Sequence, residues 1–114
     1  MSMKVVYIAG PFTGKDAWEV ACNVHRAEVL TREVVLLGAA PLCPHSIGAH
    51  FTGVGDYEFW IEATVEMMRR CDAVLFTADY ERSSGAVREE AEAKRIGLPR
   101  FYSVAELSAW LAVA

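Results

Sequence analysis

Short apolar runs alternate along the chain with longer segments whose apolar residues recur every three or four positions. The short runs are rich in β-branched and aromatic residues and predict four strands, at residues 5–9, 40–44, 73–77 and 100–102. The longer segments have the periodicity of amphipathic helices, which we place at about residues 16–37, 56–70, 83–96 and from 103 or 106 onward. Strands that alternate with helices predict a doubly wound, mainly parallel α/β fold of the flavodoxin or Rossmann type, with helices on both faces of the sheet. A chain of 114 residues has the length of one domain, which we place at residues 1–114.

One segment, residues 45–55, has neither periodicity and contains three glycines. We expect a long loop here, and a loop of this length in a compact domain is most often a mobile lid over a pocket. Its two histidines, His45 and His50, are candidate metal ligands, but no third ligand lies at a recognised spacing from them. The sequence therefore predicts no metal site, and nothing in it calls for a cofactor.

Two loops are predicted to lie at the same edge of the sheet. Ligands of doubly wound sheets bind at the carboxyl ends of the strands, where the strand order reverses. Residues 10–14 follow the first strand, and residues 79–85 follow the third. Ser83, Ser84 and Gly85 stand directly before a helix, whose first amide N–H groups have no partner within the helix and suit an anion.

Glu89 lies on the apolar side of the helix that follows. On a helical wheel it shares a face with Ala86, Ala93 and Ile96, and that face should pack inward. A carboxylate is costly to bury unless a function or a partner outweighs the cost. Two interpretations stay open, a site glutamate or a partly exposed glutamate at the edge of the helix. The neighbouring Glu90 and Glu92 have the character of solvated charges.

Composition restricts the possible partners and the compartment. The formal net charge of −4 argues against a nucleic-acid backbone or an anionic membrane, although a small anion can still bind locally. Three cysteines without a CxxC pair predict buried free thiols in a reducing cytoplasm. No apolar run approaches the length of a membrane span, and the start of the chain does not resemble a signal peptide. We expect a cytoplasmic protein.

The helix at residues 56–70 is apolar on two sides. One stripe is expected to face the sheet, and Phe59, Ala63 and Met67 form a second ridge. The second contact is either another subunit or the interior of the same domain. We expect a homo-oligomer, most simply a twofold dimer.

Three motifs give the chain a resemblance to a known group. They are Tyr7-Ile8-Ala9-Gly10-Pro11-Phe12, then Cys71-Asp72-Ala73-Val74, and then Ser83-Ser84-Gly85-Ala86-Val87-Arg88-Glu89 with Ala93. The combination resembles the nucleoside 2-deoxyribosyltransferase superfamily over nearly the whole chain, and is most similar to its short bacterial and phage members.

The resemblance implies an activity and a set of site residues. Glu89 would be the nucleophile that attacks the anomeric carbon of the sugar, and Tyr7 would orient it. The substrate, a nucleoside or nucleotide, would be bound by the two loops through Gly10, Pro11, Phe12, Thr13, Ser83, Ser84 and Gly85. Family enzymes acting on free nucleosides tend to carry Asp at the position of Ser83, whereas the branch that hydrolyses nucleoside 5′-monophosphates carries Ser. The implied protein is an N-glycosidase, a hydrolase, or a deoxyribosyltransferase.

The chain departs from the family pattern at three places. Thr64 stands where the family often has aspartate, so Glu62 or Asp56 would have to substitute for it. Thr13 stands where the phosphate branch has arginine, so Lys15 or Arg82 would have to supply the charge. A neighbouring subunit completes the family site from its C-terminal segment, where this chain offers Ser103 or Ser108. Two alternatives therefore remain beside the enzyme: a non-catalytic nucleotide-binding protein that keeps the pocket, and a purely structural α/β protein, which requires an exposed Glu89.

Overall fold

Four short strands form one parallel sheet in the computed structural model, which describes residues 2–51 and 53–114. The strands are β1 (Val5–Ala9), β2 (Ala40–Leu42), β3 (Ala73–Phe76) and β4 (Arg100–Phe101). Their order is β2-β1-β3-β4, and every neighbouring pair is parallel. The chain moves outward from β1 to β2 and then crosses back to β3, so the order reverses between β1 and β3. This confirms the predicted doubly wound α/β fold.

Within the described residues four α-helices connect the strands and a fifth follows β4: α1 (Ala17–Leu36), α2 (Pro44–Gly48), α3 (Tyr57–Arg69), α4 (Ser84–Ile96) and α5 (Val104–Val113). The four longer helices begin after a residue whose side chain accepts a hydrogen bond from the amide three residues further on: Asp16, Asp56, Ser83 and Ser103. Gly97 ends α4 in the left-handed conformation, with φ of 74°, which glycine adopts at little cost. These local signals explain why the predicted boundaries of the long helices are close to the observed ones.

The sheet divides the core into two layers. On one side, Val6 and Ile8 pack with residues of α1 and α5, among them Val34 and Leu107. On the other side, Tyr7 and Ala9 belong to a cluster with residues of α3 and α4: Met68 and Ala93. Because successive residues of a strand face opposite sides, the alternation along β1 sends Tyr7 towards α3 and α4.

The prediction of a long loop at residues 45–55 is wrong for its first part, which is helical. Pro44 starts α2, where its missing N–H is not needed, and the amide of Ala49 closes the turn on the carbonyl of His45 at 3.0 Å. His45 is consequently a buried helical residue and not part of a lid. Residues 49–51 and 53–55 have no helix or strand, and Thr52 lies outside the described residues.

Several smaller expectations need correction. Ile96 is exposed, so it does not extend the inward face of α4. Cys43 and Cys71 are buried as predicted, whereas Cys22 is partly exposed. Phe59 is 55% exposed, so α3 is not internal to the domain. Within the described residues, no helix combines the length and the apolar character that crossing a membrane requires.

Candidate functional site

A cavity of about 440 Å³ opens at the carboxyl ends of β1 and β3, where the strand order reverses. Its walls come from the loop after β1, from α2, from the start of α3 and from the start of α4. It is lined by all nine residues that the sequence singled out: Tyr7, Gly10, Pro11, Phe12, Thr13, Ser83, Ser84, Gly85 and Glu89. The structure thus brings together two loops that are about seventy positions apart in the chain.

Tyr7 and Glu89 form a hydrogen-bonded pair at this cavity. The hydroxyl group of Tyr7 donates to Oε2 of Glu89 across 82 positions of sequence. Tyr7 is fully buried and Glu89 is only 7% exposed. The interpretation of Glu89 as a partly exposed residue at the helix edge is therefore wrong, and the exposure that a purely structural role requires is not present.

Burial controls the protonation of this pair. It raises the pKa of Glu89 from 4.5 to about 7, although the hydrogen bond from Tyr7, the charge of His45 and the hydroxyl of Thr64 act in the opposite direction. Burial, and after it the Glu89 carboxylate, raise the pKa of Tyr7 well above 10.0. Tyr7 therefore stays a hydrogen-bond donor at all physiological pH values, while Glu89 changes between acid and carboxylate near neutrality.

Thr64 lies beside the pair, at the position where the resembling family often carries aspartate. Its hydroxyl donates to the carbonyl of Ile61 at 3.2 Å and also contributes to lowering the pKa of both Glu89 and Tyr7. A threonine hydroxyl can donate or accept a hydrogen bond but does not exchange a proton near neutral pH. Glu89 is thus the only carboxyl group among the described residues that touches Tyr7.

Arg82 supplies positive charge at the rim of the cavity. It lines the cavity and donates to Oδ2 of Asp79 at 3.1 Å, whereas Lys15 does not line it. Ser83 accepts a hydrogen bond from the amide of Ala86 at 3.1 Å and so caps α4. Of the two cations that the sequence offered, the structure places Arg82 at the cavity.

Four aromatic rings form part of the cavity wall. They belong to Phe12, Phe51, Tyr57 and Trp60. Trp60 is held in place because its indole N–H donates to the carbonyl of Val54 at 2.6 Å. Such flat apolar faces can stack on a planar ring of a ligand.

Two buried polar side chains that bind the loop after β1 are absent from the predicted site residues. Asn23 donates to the carbonyls of Phe12 and Thr13, and His45 bonds the carbonyls of Gly10 and Pro11. Asn23 had a detectable signal, because it shares the inward face of α1 with Ala27 and Val34. His45 had none, since nothing local predicts a contact across 35 positions.

Glu90 and Glu92 are not the solvated charges that the pattern suggested. Glu90 accepts hydrogen bonds from the hydroxyls of Tyr80 at 2.9 Å and Tyr102 at 2.7 Å. Glu92 bonds Arg69 and Arg95. Neither lines the cavity.

A larger groove, of about 650 Å³, lies on the outer side of α3 and α4. It contains none of the nine predicted residues, and its charged groups, such as Arg69 and Glu92, are paired with each other at 2.7 Å. The smaller cavity is the candidate site because it holds a buried carboxyl group with a raised pKa and a fixed donor. Within residues 2–51 and 53–114, no three His, Cys, Asp or Glu side chains are placed to hold a metal ion.

The fold is shared with a solved protein structure. A 2-deoxyribosyltransferase from the psychrotolerant bacterium Bacillus psychrosaccharolyticus, described as a biocatalyst for nucleoside synthesis, superimposes with a TM-score of 0.61. The alignment covers 84% of this chain and 69% of that enzyme at 21% sequence identity, which establishes a shared fold. A comparison with curated proteins found no match. The family described as "Domain of unknown function (DUF7768)" matches residues 4–103, and the chain belongs to that family.

Proposed function

We propose that this protein cleaves the N-glycosidic bond of a nucleoside or a nucleoside 5′-monophosphate, with Glu89 as the nucleophile. One observation carries the proposal: a buried carboxyl group, held by Tyr7, lies at the ligand cavity of a fold shared with a 2-deoxyribosyltransferase. The aromatic wall and the small volume of the cavity fit a ligand of this size.

The geometry suggests a different role for each of the two carboxylate oxygens of Glu89. Tyr7 holds Oε2 of Glu89, which leaves Oε1 to attack the anomeric carbon of the sugar. The bond between that carbon and the base nitrogen breaks, its electron pair leaves with the base, and the base takes up a proton from water. A sugar ester of Glu89 remains. Water resolves the ester in a hydrolase, and a second base resolves it in a transferase.

The rim of the cavity favours a substrate with a 5′-phosphate. Arg82 and the first amides of α4 lie together, and both attract an anion. Ser83 matches the residue that the resembling phosphate branch carries at this position. The phosphate would then lie at the start of α4 and the base against the aromatic wall.

The test is to incubate the protein with a panel of nucleosides and 5′-monophosphates and to measure the release of free base. We expect release with at least one of them. Glu89→Gln should abolish it, by at least about a thousandfold, while nucleotide binding stays nearly intact, because the carboxylate acts in the transition state.

Glu81→Gln is the matched control for this substitution. Glu81 is exposed, does not line the cavity and should leave base release unchanged. Glu90 and Glu92 serve less well because both are hydrogen-bonded. Equal loss in Glu81→Gln and Glu89→Gln, or unchanged release in Glu89→Gln, would exclude Glu89 as the nucleophile.

A second candidate function is nucleotide binding without catalysis. Thr64 favours it, because the threonine beside the pair cannot give a proton to the leaving base as an aspartic acid can. Binding of a nucleotide by calorimetry without any release of base would select this alternative.

A further inference from the structure

Asp79 is bound by three side chains at the start of the turn that leads into α4. The hydroxyl group of Thr77 donates to its Oδ1 at 2.8 Å. Nη1 of Arg82 donates to its Oδ2 at 3.1 Å, and Nη1 of Arg26, on α1, lies 3.9 Å from the same oxygen. One carboxylate is therefore shared by two guanidinium groups, and Arg82 is the nearer of them.

The two arginines differ in what else they contact. Arg82 lines the cavity, whereas Asp79 and Arg26 do not. Arg26 also donates to Oδ1 of Asn23 at 3.0 Å. A guanidinium group has five N–H donors, so Arg26 can bind Asp79 more closely without releasing Asn23. Asp79 therefore keeps a cation and the hydroxyl group of Thr77 as partners when Arg82 turns towards a ligand.

The ion pair of Asp79 and Arg82 is weak enough to be exchanged. The side chain of Arg82 is 59% exposed and that of Asp79 is 23% exposed, so water and salt screen their attraction. An anion at the cavity rim competes with Asp79 for the same guanidinium group. A free anion gains only this contact, whereas a ligand whose other end packs on the aromatic wall gains apolar contacts as well.

We propose that Asp79 sets the affinity of the cavity for anions: it holds Arg82 in an ion pair, so that a free anion binds poorly and an anionic group binds well only as part of a larger ligand. Arg26 is a positioning residue in this exchange, because it replaces Arg82 beside Asp79 when the ligand takes Arg82. The inference rests on the proposed function only for the ligand class, a phosphate-bearing nucleotide.

The experiment follows the Nε–H signal of Arg82 by NMR in the ¹⁵N-labelled protein, while inorganic phosphate is added as the probe at constant ionic strength. The signal is assigned as the one that Arg82→Lys removes. Asp79→Asn keeps an oxygen for the hydroxyl group of Thr77 but loses the charge. We expect this variant to bind phosphate at least about fivefold more tightly than the wild type does, because the competing carboxylate is gone.

Glu81→Gln is the matched control for Asp79→Asn. It removes the same charge from the same turn, but Glu81 is exposed and forms no ion pair with Arg82 in the described chain. Screening by salt weakens its influence on the rim, so we expect it to change the affinity for phosphate by less than about twofold.

Arg26→Gln tests the exchange itself. We expect phosphate to bind at least about threefold more weakly than to the wild type, because Asp79 then has no second cation to bind when Arg82 leaves it. Arg32→Gln is the control, since Arg32 is exposed on the same helix and pairs with Glu33. In the Asp79→Asn background, Arg26→Gln should have no larger effect than Arg32→Gln, because the carboxylate that couples the two arginines is absent.

Three outcomes would overturn the inference: phosphate binding that is unchanged or weaker in Asp79→Asn, equal tightening in Asp79→Asn and Glu81→Gln, or equal effects of Arg26→Gln and Arg32→Gln on the wild type. If Asp79→Asn does not fold, Asp79→Ser replaces it, because a serine hydroxyl is uncharged and can still bond a hydroxyl group.

Release of base from the panel of nucleosides and 5′-monophosphates is measured in parallel. Tighter binding of phosphate by Asp79→Asn, without release of base from any compound, would refute the proposed function and leave this inference standing. Release of base from a 5′-monophosphate, with unchanged binding of phosphate by Asp79→Asn, would refute this inference alone.

Discussion

Glu89 couples the stability of the protein to pH. Its pKa is about 7 in the folded protein because of burial, against an ordinary value of 4.5. Between these two values the folded state binds more protons than the unfolded state, so stability falls as the pH rises from about 4.5 to 7. Above that range the carboxylate is ionised in both states, and its burial destabilises the folded protein by the full amount, about 3 kcal/mol.

Glu89→Gln removes this titration while it keeps the size of the side chain. We expect the free energy of unfolding of the variant to exceed that of the wild type, and this excess should be larger at about pH 8 than at about pH 5 by about 2–3 kcal/mol. Urea unfolding at the two pH values measures the difference. If the difference in unfolding free energy between the two proteins does not change with pH, Glu89 titrates as an ordinary exposed acid.

Tyr7→Phe removes the donor and leaves the ring. The hydrogen bond from Tyr7 lowers the pKa of Glu89, so its loss should raise that pKa further. If the enzyme proposal holds, the acid limb of the pH–rate profile for base release should move to higher pH, and the rate at neutral pH should fall by about tenfold or more. Tyr102→Phe, which loses a hydrogen bond to Glu90 outside the cavity, should leave the profile in place. A profile that does not move in Tyr7→Phe would contradict the role of Tyr7.

At the residue scale, a polar side chain that interrupts an apolar helix face can be recognised in the sequence, whereas a side chain whose role depends on a distant contact cannot. Glu89 was found because a carboxylate interrupts an inward apolar face, and Asn23 carries the same signal on α1. His45 gives no such signal, because its role depends on a contact with Gly10 and Pro11 in the loop after β1 and not on its neighbours in the chain. Periodicity contains no information about which distant carbonyl a buried donor meets.

Among the elements, α4 matters most because it carries both Glu89 and the rim of the cavity. Ser83→Ala removes the side chain that accepts from the amide of Ala86, and should cost about 1 kcal/mol of unfolding free energy. Ser84→Ala, one position further on, is the matched control. Ser84 is exposed and makes no side-chain hydrogen bond within the described chain, so its replacement should change stability by less than about 0.5 kcal/mol. Urea unfolding at constant pH compares the two, and equal effects would contradict the capping role.

The long helices and the four strands were predictable because their signals are local and repeated. Asp16, Asp56 and Ser83 mark helix starts within a few residues of sequence. The helix α2 was not predictable in this way, since five residues are too few to establish a helical period. It forms because Pro44 starts a turn whose side chains bind partners in the loop after β1 and on α1.

For the whole molecule, we propose a homodimer that uses the outer side of α3. Phe59 is 55% exposed there, next to the half-buried Ala63 and Met67, and the adjoining groove carries charges of both signs that a second copy can match. Phe59→Lys should shift the protein from dimer to monomer in sedimentation velocity. Trp18→Lys is the control, because Trp18 is even more exposed, at 77%, but lies on α1 on the other face. Dissociation by Trp18→Lys and not by Phe59→Lys would assign the interface to α1.

The separation of Tyr7 and Glu89 in the chain has a consequence for biogenesis. During synthesis on a ribosome, β1 emerges before β3 and α4. Tyr7 can bind Glu89 only after a further 82 residues have been made. Contacts between such distant segments are slow to form, because the intervening chain must be ordered before they are gained. A partly made chain therefore holds neither the proposed nucleophile nor its donor in place. The pair of Tyr7 and Glu89 is therefore assembled only after α4 has packed on the sheet.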